Sequence, residues 1–85
     1  MKVFNYKIKD SEGIHARPAG IIVKEAKQFA STVTMEYDGK KADCKKIFAI
    51  MGLGVKCNEV ISVFIEGEDE EKAAEALKTA VENNL

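Results

Sequence analysis

Eighty-five residues, 46% hydrophobic and 32% charged, suffice for one small globular domain spanning 1–85 and leave no room for a second core. That composition excludes a disordered or membrane-inserted chain, and a formal net charge of -1 argues against bulk nucleic-acid binding. The charge is unevenly spread, with seven basic against four acidic residues from Ile14 to Leu53 and three against eight from Gly54 onward. A molecule polarised in this way docks an acidic partner by one face. The start of the chain has no apolar run of signal-peptide length, and Cys44 and Cys57 lack metal-type spacing, so a reducing cytoplasm and two free thiols are expected.

From Lys2 to Ile8 the residues alternate so that Phe4, Tyr6 and Ile8 share one face, which predicts a half-buried strand ending at the Asp10-Ser11-Glu12-Gly13 turn. Between Ala16 and about Ala30, the residues Ala19, Ile22, Val23, Ala26, Phe29 and Ala30 fall at helical spacing and leave Lys24, Lys27 and Gln28 toward water. Gly20 inside that helix costs about 1 kcal/mol relative to alanine and implies a close approach by a neighbouring element or a partner. Thr32 to Tyr37 alternates again, with Val33, Met35 and Tyr37 inward. Asp38-Gly39 then makes a hairpin turn to a short, charged edge strand from Lys40 to about Asp43. Ile47 to Met51 forms a brief apolar helix stopped at Gly52-Leu53-Gly54. Ile47, Ile50 and Met51 can share one of its faces, and Phe48 points elsewhere. Val60 to Ile65 reads as a central strand. Asp69 then stands ready to cap a last helix that has Glu70 and Glu71 in its first turn and a stripe of Ala73, Ala74, Leu77, Ala80 and Val81. The order β-α-β-β-α-β-α implies an α+β open-faced β-sandwich, a four-stranded antiparallel sheet with three helices on one face.

Gly13-Ile14-His15-Ala16-Arg17-Pro18-Ala19 holds the only histidine, arginine and proline of the chain. Proline is tolerated in a first helical turn, so His15 sits at a helix mouth, where unpaired N–H groups and the macrodipole favour an anion. Arg17 adds a cation whose fork geometry suits phosphate or carboxylate. In an arbitrary domain a lone histidine is more often a surface or hydrogen-bonded residue than a reactive one. Here its position and the guanidinium two residues on favour chemistry. One histidine without clustered carboxylates or thiolates cannot complete a metal site. Neither Ser11 nor Cys44 carries a hydrolase signature, and Gly52-Leu53-Gly54 lacks the later glycine of a nucleotide loop. What remains is the imidazole as nucleophile, with an unperturbed pKa of about 6.5 that leaves a ring nitrogen free near neutrality. A phosphoryl group there would lie over the N–H groups of Ala16 and Arg17, which stabilise its charge with no metal or other cofactor.

The Gly13–Ala19 stretch resembles the active-site motif of HPr, the histidine-containing phosphocarrier of the bacterial phosphoenolpyruvate:sugar phosphotransferase system. The resemblance extends to the Asp38-Gly39 hairpin, to Lys45-x-Ile47-Phe48-x-x-Met51-Gly52-Leu53-Gly54 and to Glu66-Gly67-Glu68-Asp69-Glu70. It implies that His15 accepts phosphate from phospho-enzyme I through the ring nitrogen nearer its backbone and passes it to IIA domains of sugar permeases, as a carrier rather than an enzyme with a free substrate. It also implies that Arg17 positions and neutralises the phosphoryl group. The implied docking surface is Ala16, Arg17, Gly20, Lys24 and Lys27 from the first long helix, with Lys45, Ile47, Phe48, Met51 and Leu53 around the short one. A monomer that neither binds nucleic acid nor enters a membrane is expected.

The chain departs from the family pattern at Lys46. Many HPr proteins have there a serine that a dedicated kinase phosphorylates. Lysine puts positive charge where regulation would put a phosphate of about −2, so that switch is expected to be missing and Lys46 to add to docking on an acidic enzyme I. An alternative is an HPr-like regulatory module that signals by binding, its state set by phosphorylation of His15.

Overall fold

The computed structural model describes residues 1–85, and its elements follow the expected order: β1 (Lys2–Lys7), α1 (Ala16–Ala26), β2 (Thr32–Tyr37), β3 (Lys40–Asp43), α2 (Ile47–Met51), β4 (Val60–Glu66) and α3 (Glu70–Asn84). The sheet runs β1-β4-β2-β3, antiparallel throughout, so the last strand inserts between the first two. Register follows from the pleat. Phe4 and Met35 both stand opposite Val63, Val33 opposite Ile65 and Tyr6 opposite Ile61, so that all of these side chains project to the helical side. Val33, Met35, Ile61, Val63 and Ile65 are almost fully buried there, against Ile22, Val23 and Ala26 of α1 and Ala73, Leu77 and Val81 of α3. Burial of each branched side chain contributes about 1.5–3 kcal/mol relative to exposure. The other sheet face stays open, with Val3 and Val60 exposed and Phe64 half-buried. No helix is long and apolar enough to cross a membrane.

Two expectations are corrected. The first helix ends at Ala26, not near Ala30, although Phe29 and Ala30 continue the apolar spacing. Past Ala26 the bonds tighten, Gln28 N–H to the Glu25 carbonyl at 3.1 Å and Phe29 N–H to that of Ala26 at 3.2 Å. The next two amides, of Ala30 and Ser31, then donate to the Asp69 carboxylate, each at 2.9 Å, which draws the chain out of the helix and leaves Ala30 exposed. The second correction follows from the first. Asp69 occupies the N-cap position of α3, but its side chain makes no capping bond, because both oxygens are taken by residues 30–31 and the Ser31 hydroxyl also donates to it. Tyr37 packs partly buried against the core, on the side expected of it, and its hydroxyl donates to the Glu59 carboxylate at the ends of the two central strands. That bond pushes the phenol up to about 12 and holds Glu59 below the usual carboxylate range.

Two local expectations stand as read. Asp38 and Gly39 have φ of 52° and 79°, the left-handed pair that a two-residue type I′ hairpin requires. Cys44 and Cys57 are both free, and burial pushes the Cys44 thiol up to about 12, so it packs as an inert apolar group. At Gly20 the neighbour is present but makes only an ordinary contact, so no tight approach demands glycine there. A Cβ built there would stand 3.7 Å from Ile47 Cδ1, so the neighbouring element is α2.

Candidate functional site

The site is built on the loop between β1 and α1, and backbone bonds from two distant segments, Leu85 and residues 55–58, hold that loop. Lys9 and Asp10 N–H donate to the Leu85 carbonyl oxygen at 2.7 and 2.8 Å, Asn58 N–H to that of Ile8 at 2.7 Å, and Ile14 N–H to that of Val55 at 3.1 Å. Gly13, at φ 70°, crosses so close to the Val55–Lys56 backbone that a Cβ would stand 2.3 Å from the Val55 oxygen. Glycine at this motif position is therefore a steric requirement as well as a conformational one.

Beyond Gly13 the buried Ile14 anchors the chain, and His15 enters α1 as its N-cap residue in extended conformation. The first intrahelical bond runs from Ala19 N–H to the His15 carbonyl at 3.0 Å, and Pro18 has no N–H to offer, so the Ala16 and Arg17 amides stand ahead of the helical ladder. The His15 ring is 35% exposed, and its Nε2 lies 3.4 Å from Asp10 Oδ2 and 4.0 Å from Glu12 Oε2. Asp10 Oδ1 accepts the Glu12 N–H at 2.9 Å, a turn that aspartate forms with the amide two residues on. That bond, and after it the contact with His15, holds the Asp10 carboxyl below its usual range. Arg17 is exposed and lines the same hollow as Asp10, Glu12, His15, Pro18, Ile21 and Asn84.

Carboxylates thus do cluster with the histidine, contrary to the premise on which a metal was set aside. Asp10, Glu12 and His15 each place a potential ligand atom within 4.8 Å of the others. The guanidinium lining the same hollow weakens the field they would offer a cation. The sequence carried a signal for this in the Asp-Ser-Glu-Gly turn, but nothing in its spacing said that the turn would fold back on the ring.

Ala16 and Arg17 at the mouth, Lys24 and Lys27 at the far end of α1, and Lys46, Phe48 and Met51 at α2 are exposed, with Phe48 at 83%, and Gly20 and Ile47 are half-buried where α1 meets α2. Ile50 is fully buried, as ordinary core packing required. Two expected docking residues change role. Leu53 is buried, folded under the Gly52–Gly54 turn into the core, so its side chain is not presented to a partner. Lys45 is half-buried and donates through Nζ to the Phe29 carbonyl at 2.8 Å, which ties the approach to α2 to the end of α1.

The structure is thus an α+β domain with one histidine at a helix mouth, an arginine two residues on and an exposed apolar surface on α2. A family model described as "PTS HPr component phosphorylation site" matches residues 2–83. The chain is 42% identical over 79 residues to the phosphocarrier protein HPr of Lysinibacillus sphaericus, covering 93% of this chain and 90% of that one. A structure of the histidine-containing phosphocarrier protein, described in work on the divergence of Mycoplasma from Gram-positive bacteria, superimposes with a TM-score of 0.94 at 32% identity, over 96% and 93% of the two chains. A dimer of HPr from Thermoanaerobacter tengcongensis is 42% identical over 98% and 95%, with a TM-score of 0.77. The chain belongs to the HPr family, the phosphocarriers of the phosphotransferase system.

Proposed function

We propose that His15 accepts a phosphoryl group on Nδ1 from phospho-enzyme I and passes it to IIA domains of sugar permeases. The observation that carries this reading is the position of His15 at the N-cap of α1, with Nε2 turned to Asp10 and the Ala16 and Arg17 amides free of the helical ladder. Charge developing on a phosphoryl group at Nδ1 is met by those amides, the helix dipole and the Arg17 guanidinium. Such transfer depends almost entirely on positioning and electrostatics. Phe48 and Met51 of α2, with the exposed Lys24, Lys27 and Lys46, form the surface on which partners seat.

Enzyme I with phosphoenolpyruvate adds an acid-labile phosphate to the intact protein, absent from His15→Ala, and a panel of IIA domains then removes it. No mass increase refutes the assignment. Phosphate that enters and reaches no IIA domain favours the regulatory module instead. Lys46, exposed at the N-cap of α2, cannot take the kinase's phosphate, so HPr kinase and ATP leave the mass unchanged. The protein acts in the cytoplasm as a monomer, a reading supported by a core that closes within one chain and leaves no buried side-chain polar atom unpaired. Light scattering that returned a dimer mass would overturn it.

A further inference from the structure

Two carboxylates face one nitrogen of the His15 ring, and no hydrogen bond within the protein reaches the other. Asp10 is fixed for that role. Its Oδ1 is held by the Glu12 N–H at 2.9 Å and its backbone N–H by the Leu85 carbonyl at 2.8 Å, which leaves Oδ2 toward Nε2 at 3.4 Å. Glu12 Oε2 stands 4.0 Å from the same atom. An ionised carboxylate offers only lone pairs, so it repels a nitrogen lone pair and attracts an N–H. Of the two neutral tautomers, only the one with its proton on Nε2 leaves a lone pair on Nδ1.

We propose that Asp10, supported by Glu12, is a positioning residue that keeps the proton on His15 Nε2 through the whole carrier cycle, so that Nδ1 alone gains and loses the phosphoryl group. This deepens the reading of His15 as phosphate carrier and rests on it. On acceptance, the Nδ1 lone pair forms the N–P bond while the bond from phosphorus to the donor breaks and its electron pair leaves with the donor. The His15 ring, still protonated at Nε2, becomes an imidazolium facing Asp10 and Glu12. On donation, the acceptor's lone pair forms the new bond to phosphorus, the Nδ1–P pair returns to Nδ1, and the ring departs as neutral imidazole. No proton moves in either direction. A ring that had lost the Nε2 proton would have to leave as imidazolate, a much poorer leaving group. The same two carboxylates thus favour the nucleophilic tautomer before transfer and the better leaving group after it.

The test is the Asp10→Asn variant. It keeps an oxygen for the Glu12 N–H and turns an amide donor toward Nε2, where it favours a lone pair. Long-range proton–nitrogen correlation on ¹⁵N-labelled protein, well above the ordinary imidazole range of pH, reads which nitrogen carries the proton. The parent ring should show N–H at Nε2. In Asp10→Asn the proton should shift toward Nδ1, and the rate of phosphoryl acceptance from phospho-enzyme I should fall about ten- to a hundredfold. Asp10→Ala, with neither partner, should fall between them in both readouts. A parent ring protonated at Nδ1, or an Asp10→Asn variant in which neither or only one readout changes, overturns the proposal. A parent with N–H at Nε2 that takes no phosphate refutes the carrier reading and upholds the tautomer assignment.

Discussion

Asp10 and Asp69 both lie ahead of a helix, both accept backbone amides and both are held below the usual carboxylate range, yet they do opposite work. Asp69 spends both oxygens on the fold, with Ala30 N–H on one and Ser31 N–H and hydroxyl on the other, which joins the start of β2 to the start of α3. Asp10 gives one oxygen to the Glu12 amide and keeps the other for His15. What separates a structural aspartate from a functional one here is the partner of its second oxygen. Residue type alone does not distinguish them.

Substitutions probe that contrast. The loop carrying Asp10 is anchored, and Gly13→Ala, which forces a Cβ against the Val55 carbonyl at positive φ, should destabilise the protein by about 2 kcal/mol or more in urea unfolding. A silent Gly13→Ala would mean the loop is loosely held and would undo the contrast. Asp69→Asn should lower the unfolding midpoint at neutral pH and leave the nitrogen pattern of the His15 ring unchanged. Because the folded-state pKa of Asp69 is depressed, chiefly by the Ser31 hydroxyl, its contribution is full above the ordinary value of 3.8 and is lost as pH falls through the folded value. The gap between parent and Asp69→Asn should therefore close on acidification, and a gap constant with pH would contradict the assignment. Phe48→Ala removes a side chain that is 83% exposed, so stability should change by no more than about 0.5 kcal/mol. The dissociation constant for enzyme I, measured by calorimetry, should rise about tenfold. The smallest change is expected at Gly20, where a Cβ meets Ile47 Cδ1 at 3.7 Å, an ordinary contact. Gly20→Ala should raise stability by about 0.5–1 kcal/mol in thermal unfolding.

Much of the fold was legible because its signals are local. Alternation over Thr32–Tyr37, Asp-Gly at the hairpin and the Ala73–Val81 stripe each report geometry within a few residues. The end of α1 was misread for the complementary reason. Phe29 and Ala30 keep the 3.6-residue period, but a carboxylate 39 residues from Ala30 captures its amide. Leu53 likewise belongs by sequence to the apolar platform and by packing to the core, and Lys45 looks free until its ammonium finds the Phe29 carbonyl. At the site, the helix mouth with His15 and Arg17 could be read directly, because capping and proline placement are properties of one short stretch.

The chain's own spacing was enough to determine the type and order of the elements and to single out His15 as the candidate for the chemistry, since periodicity and capping act within a turn or two of backbone. The strand order β1-β4-β2-β3, the seating of Leu85 against Lys9 and Asp10, and the aim of Asp10 at Nε2 were decided only when the sheet and helices closed on a shared apolar face. That closure brings together groups far apart along the chain, and no local pattern records it.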